Sequence, residues 1–115
     1  MNNSNVIETK YGYDLVWADT EWYYSKIMVF AHAGNKTPIT FHKEVNKSWF
    51  VNAGSFKVTW IDVTDGKLYE KEINEGVVFH ISSHMPVGLE ALEDNASITQ
   101  VSNKSDKDDA CFLSS

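Results

Sequence analysis

The side chains most able to do chemistry in this sequence are four histidines, His32, His42, His80 and His84, together with Glu44, Lys47 and the single cysteine Cys111. Imidazole and carboxylate groups hold divalent metals when three or four of them converge. Here His42, Glu44 and His84, with or without His80, form the set that could do so. Strand alternation counts against His80, which falls between Phe79 and Ile81 and so faces away from that inward-pointing pair. His32 ends an apolar segment and is expected at the surface. No Gly-rich phosphate loop, Cys–His pair or Ser-His-Asp arrangement with supporting context is present. The other chemical feature is a content of 4 Trp and 5 Tyr, whose rings can stack on the apolar faces of sugars. Trp49 and Trp60 are the members expected to line a cavity, while Trp17, Trp22, Tyr23 and Tyr24 lie near the N-terminal strands and are expected at an interface.

Composition limits the partners. Of the 115 residues, 16 are acidic and 10 basic, giving a net charge of −6, and every basic residue is a lysine. A chain with no arginine lacks the side chain best suited to clamping phosphate and reading guanine edges, so nucleic acid is excluded as a partner and phosphorylated substrates are disfavoured. The length and the 43% apolar content fit one domain with its own core. Cys111 has no second cysteine to pair with, so packing alone must carry the fold. The opening MNNSNVIETK has no apolar leader, and no run approaches the roughly 20 apolar residues of a membrane span. The expectation is a cytoplasmic protein without a membrane partner.

The elements that must position these residues are strands. Turn signals such as Gly34-Asn35-Lys36, Asn52-Ala53-Gly54, Thr64-Asp65-Gly66 and Asn74-Glu75-Gly76 recur about every ten residues, the spacing of an all-β sandwich or barrel. Between them lie segments rich in Val, Ile, Thr and aromatics: 12–17, 22–32, 37–42, 47–53, 55–63, 67–73, 76–81, 87–92 and 96–102. In 55–63, Phe56, Val58 and Trp60 alternate with Ser55, Lys57 and Thr59, whereas 27–30 reads as a strand buried on both faces. No segment has a helical period. Residues 1–10 are expected to be a mobile N-terminal segment and 11–113 a single domain, with the charged run 102–109 a solvated connector that lets Phe112 and Leu113 dock on the barrel. A jelly roll, a lipocalin-like meander and a lectin sandwich all satisfy this pattern.

Two stretches separate those alternatives. Thr40-Phe41-His42, followed by Lys47, Trp49, Phe50, Val51 and Gly54, resembles the first motif of the cupins in its spacing. Glu75-Gly76, then Phe79, Ile81, Ser82 to His84, Pro86 and Val87, resembles the second. Within that superfamily the chain is similar to small domains related to type II mannose-6-phosphate isomerase and to the C-terminal part of GDP-mannose pyrophosphorylase. The Tyr11 to Ala18 tract, the segment Lys26 to Phe30 and the Asp108-Asp109 pair carry that likeness. The resemblance implies an all-β, double-stranded β-helix (cupin jelly-roll barrel) over residues 11–113, and a homodimer.

The resemblance also implies a metal site, and there this sequence departs. The positions at which such domains hold a divalent metal fall on Thr40, His42, Lys47 and Val87, and a basic residue of the family falls on Phe112. Lysine brings a positive charge where the cation would sit and valine offers no donor, so no cofactor is expected. His42 then reads either as a site residue or as a core histidine bonded to a neighbour. An inward Lys47 needs a bound anion, an internal partner such as Glu90, or a route for its head to the barrel mouth.

The resulting expectation is a metal-independent domain whose pocket, bordered by Thr40, His42, Lys47, Trp49, Trp60 and Val87, binds a small polar ligand, a sugar or carboxylate. The alternative is a metal-dependent sugar-phosphate isomerase or epimerase using the non-standard ligands His42, Glu44 and His84. A third possibility is a structural domain whose barrel is filled by its own side chains.

Overall fold

The computed structural model describes residues 5–104 and the backbone of residues 110–112. The described chain holds eleven strands: β1 (Val6–Glu8), β2 (Gly12–Asp19), β3 (Tyr24–Phe30), β4 (Thr40–His42), β5 (Lys47–Ala53), β6 (Ser55–Ile61), β7 (Leu68–Asn74), β8 (Val78–Ile81), β9 (Val87–Ala91), β10 (Ala96–Ser102) and β11 (Ala110–Phe112). They form a six-stranded sheet in the order β1-β2-β3-β10-β5-β8 and a five-stranded sheet in the order β11-β4-β9-β6-β7. Every pairing is antiparallel. No helix among the described residues is long and apolar enough to cross a membrane.

Period-2 alternation builds the core. Met28 and Phe30 of β3, Trp49 and Val51 of β5, and Ala96 and Ile98 of β10 turn inward from one sheet, and Phe56, Val58, Leu89 and Ala91 turn inward from the other. Phe30 ties the layers together, stacking on Tyr11 at 4.3 Å between ring centres and meeting Phe56 edge-on at 5.1 Å. The sheets are joined at a corner where β5 passes into β6 through Gly54 alone. Its φ of +79° suits glycine, and a Cβ there would lie 2.9 Å from that of Ala96.

Gly12 is held more tightly still. At φ +153° its hydrogen points at the neighbouring strand, and a Cβ would sit 2.1 Å from the carbonyl oxygen of Val29. Gly12→Ala must therefore push β2 off β3, and the expected cost is on the order of 2–4 kcal/mol, a fall of roughly 10 °C or more in melting temperature. A thermal melt within a few degrees of wild type would show that the two strands can separate locally without penalty.

The chain differs from the sequence expectation at its N-terminal end and on one face, while its C-terminal strand meets the barrel as expected for Phe112. Val6–Glu8, placed in a mobile segment 1–10, pairs residue for residue with Leu15, Asp14 and Tyr13, so the folded chain begins earlier. β11 pairs with β4, Ala110 opposite His42 and Phe112 opposite Thr40. Leu113 and the Asp108-Asp109 pair lie outside the described residues. Segment 27–30 is buried on one face only, because Ile27 and Val29 point to the half-exposed outer side of the six-stranded sheet.

Candidate functional site

The site is assembled from both sheets. On the five-stranded side, Thr40 of β4 pairs with Val87 of β9, and Val87 pairs with Trp60 of β6. These three residues thus form one row on the inner face, and His42 lies two positions further along β4 on the same side. On the six-stranded side, Lys47 and Trp49 share the inner face of β5 with Val51. His42 and Lys47 are 6% and 9% exposed, Trp49 and Val87 are buried, and Thr40 and Trp60 are half-buried. The expected pocket residues therefore all turn toward the space between the sheets.

Aromatic rings connect the two walls. Trp49 stacks on Phe79 at 6.4 Å, Phe79 meets Trp60 at 5.2 Å, and Trp60 stacks on Tyr69 at 5.7 Å, where the belt reaches the surface on β7. The Lys47 Nζ lies 5.4 Å from the centre of the Trp49 ring, within cation–π range. The indole Nε1 of Trp49 donates to Gln100 Oε1 at 2.9 Å, which fixes the ring.

Four interior polar residues went unmarked in the sequence. Gln100, fully buried, pairs across the sheet with Trp49 on one side and Lys26 on the other. Lys26 Nζ donates to Asp14 Oδ2 at 3.0 Å, and the Tyr11 hydroxyl donates to Asp14 Oδ1. Phase was the available signal. Lys26 is in step with Met28 and Phe30, and Gln100 with Ile98, so each polar side chain had to enter the barrel.

The other candidates do not join this group. Glu44 is exposed and pairs with Lys104 at 3.1 Å. His84 is exposed in the β8–β9 turn, where its backbone N–H, not its ring, meets the His42 carbonyl oxygen at 2.6 Å. Its φ of +69° explains why such a turn suits glycine. The set His42, Glu44 and His84 is thus not assembled, and among the described residues no three His, Cys, Asp or Glu side chains could hold a metal ion. His80 faces outward as expected and shares a 2.7 Å hydrogen bond with Ser48 Oγ, and His32 is exposed. Glu90 is no partner for Lys47. It faces the outer side of β9, 3.7 Å from Lys57, whose ammonium is held above its ordinary pKa by its hydrogen bond and charge interaction with Glu70 and by the charge of Glu90.

An open cleft of about 450 Å³ adjoins Lys47 at the end of the six-stranded sheet. Asn46, Ser48, His80, Ser82 and Asn103 line it together with Tyr23. Tyr23 was expected at an interface with Tyr24, but Tyr24 is 4% exposed and lies inside the barrel, one step out of phase with its neighbour.

No family model matches the sequence, and no curated protein does. Solved structures do. CapF, the capsular polysaccharide assembling protein of Staphylococcus aureus, superposes with a TM-score of 0.80 at 17% identity over 96% of this chain and 34% of that one. Oxalate decarboxylase from Bacillus subtilis, in its structure at pH 4.6, superposes with a TM-score of 0.83 at 20% identity over 96% of this chain and 30% of its own. The chain thus spans about a third of the length of each. At these identities the likeness speaks for the architecture, and both neighbours are cupin-fold proteins. Two antiparallel sheets, the corner at Gly54 and the inward-facing row of Thr40, Val87 and Trp60 are accordingly those of an all-β double-stranded β-helix, the cupin jelly-roll barrel.

Proposed function

We propose that this barrel is a metal-independent binding domain for a small polar ligand, a sugar or a carboxylate, taken up between Thr40, His42, Lys47, Trp49, Trp60 and Val87. One observation carries the reading: Lys47, 9% exposed, holds its ammonium 5.4 Å from the centre of the Trp49 ring inside the barrel and also borders an open cleft. A carboxylate or hydroxyl of a ligand in the cleft would meet Lys47 as one charged donor among the polar groups there. The donor set does not fit a divalent metal, since Thr40, His42, Lys47 and Val87 supply one imidazole, one hydroxyl, a repelling ammonium and a hydrocarbon. The likeness to mannose-6-phosphate isomerase-like cupins belongs to this proposal as lineage, not as activity. The neighbours' names, one concerning a capsular polysaccharide and one oxalate, span the two ligand classes.

The test combines metal analysis with thermal shift. Purified protein should carry less than about a tenth of an equivalent of Zn, Mn or Fe, and a ligand at 100 times its Kd should add about 2.7 kcal/mol of stability. Lys47→Met should abolish that shift. Stoichiometric metal that vanishes in His42→Ala would instead establish the isomerase-type alternative.

For the protein partner we propose a second copy of this chain, docked through the outer face of the six-stranded sheet. Val6, Leu15, Ile27, Thr99, Phe50 and Val78 are registered side by side there and cross all six strands without a charge. The next row adds Tyr13 and Val29, with Glu8 at its β1 end as the charge beside that row. The outer face of the other sheet, by contrast, carries Lys57, Glu70, Glu72 and Glu90. Two molecules each of net charge −6 repel, so a face whose central row is apolar and uncharged is where like copies can meet. Six strands at about 4.8 Å spacing and some 20 Å of strand length give roughly 500 Å² per copy, about 1,000 Å² in all, the lower bound of a stable interface.

A further inference from the structure

The polar cleft at the end of the six-stranded sheet has chemistry of its own. Among the described residues, none that lines it is a carboxylate, although the chain has 16 acidic residues. Its neutral hydrogen-bonding groups are held in place by bonds that leave other atoms available. Asn46 Oδ1 accepts from the Ser83 N–H at 2.9 Å, which fixes the amide and leaves both Nδ2 hydrogens to the cleft. The Asn46 backbone N–H donates to Asn103 Oδ1 at 2.8 Å, and Asn103 Nδ2 donates to the Glu44 carbonyl oxygen at 2.9 Å, so Asn103 works as a clamp on the loop before β5. Ser48 and His80 orient each other through Oγ and Nδ1, which turns the His80 Nε2 over to other contacts; among the described residues it has no hydrogen-bond partner. Across from them stands Tyr23, 46% exposed.

We infer that this cleft is a saccharide subsite, in which the Tyr23 ring stacks on the apolar face of a sugar ring while Asn46 Nδ2, His80 Nε2 and Ser82 Oγ bond its hydroxyls. The inference rests on the ligand-binding reading above and selects the sugar from its two ligand classes. Prepositioned neutral groups suit hydroxyls, which both donate and accept, better than they suit a bare anion. One exposed ring with three or four hydrogen-bonding atoms is enough for about millimolar recognition of a single sugar unit, and Lys47, which also lines the cleft, adds a charged donor.

The experiment is a set of amide NMR titrations of the full chain with D-glucose, D-galactose, D-glucuronate and, as a sugar-free anion, acetate. At least one of the three sugars should shift the signals of Tyr23, Asn46, Ser48, His80 and Ser82 at millimolar concentration, whereas acetate should not. Asn46→Asp keeps the acceptor for Ser83 and removes the two donors, so it should weaken that sugar's binding at least about tenfold without loss of fold, and Tyr23→Ala should do the same. Sugar binding that moves only barrel-lining signals, or that survives both substitutions, overturns the subsite and leaves the barrel reading standing. Binding of acetate alone overturns the subsite in favour of the carboxylate class. Failure of every probe to bind overturns both.

Discussion

Replacing Asp14 by Ala should destabilise the protein by about 3–5 kcal/mol, the largest effect expected of any single polar substitution in it. Asp14 and Lys26 hold each other at 3.0 Å with 9% of each side chain exposed, and the Tyr11 hydroxyl completes the carboxylate's shell. Removing the acid takes from the buried ammonium the carboxylate that neutralises it at 3.0 Å, a loss that the apolar neighbours Met28 and Phe30 cannot make good. For a domain of this size the melting temperature should fall by roughly 15 °C, and the midpoint of urea unfolding should fall with it. The double variant Asp14→Leu with Lys26→Met should recover most of the loss, because a buried pair is worth little against well-packed hydrocarbon. A single-variant loss under about 1 kcal/mol would show that Lys26 reaches solvent. The pair also bears on function, since Lys26 is registered beside Gln100, which in turn holds the Trp49 indole. The double variant should therefore restore stability while leaving Trp49 less firmly placed, visible as a shifted and broadened tryptophan emission.

Placing carboxylates at Phe50 and Val78 should convert a dimer into a monomer. These side chains are 44% and 50% exposed and point away from the core, so Phe50→Glu with Val78→Glu should leave the fold and its circular dichroism unchanged. In a two-fold interface each substitution acts twice, bringing four like charges into an apolar contact. The dimer dissociation constant should rise by at least about 100-fold. Sedimentation across a concentration series reads this directly. A wild type that stays monomeric at high micromolar concentration, or a variant that dimerises as well as wild type, would rule out the second copy as the occupant of this face.

The sequence marked out the strands well wherever one face was clearly apolar. β6 shows why: Phe56, Val58 and Trp60 alternate with polar partners, and a single phase satisfies both burial and the two neighbouring strands. It failed at β1, three residues whose pairing with β2 comes from backbone bonds and not from any pattern in VIE. At β3 it treated four apolar residues as doubly buried. A strand cannot announce that its outer face will be left uncovered, because that depends on which element lies on top.

The inward positions of Thr40, His42, Lys47, Trp49, Trp60 and Val87 were legible because motif spacing and strand phase agree at each of them. The cleft was not. Tyr23, Asn46 and the His80–Ser82 stretch come from three separate segments, and no spacing rule links a β2–β3 turn to a β8–β9 turn. Glu90 was misplaced for a related reason: its strand was read correctly, but its face was not carried through from Leu89 and Ala91.

By itself, then, the sequence determined an all-β chain, the faces of its best-patterned strands and the donor atoms present at its candidate site. Those follow from local rules: turn residues, period-2 alternation and the donor atoms that each side chain has or lacks. Tertiary structure alone decided that Lys57 and not Lys47 meets Glu90, that Asp14 neutralises Lys26 inside the barrel, and that one sheet presents an uncharged row across all six strands of its outer face. Each of these depends on which strands become neighbours in a sheet, and strand order is fixed by the packing of the whole barrel, not by any stretch of the chain.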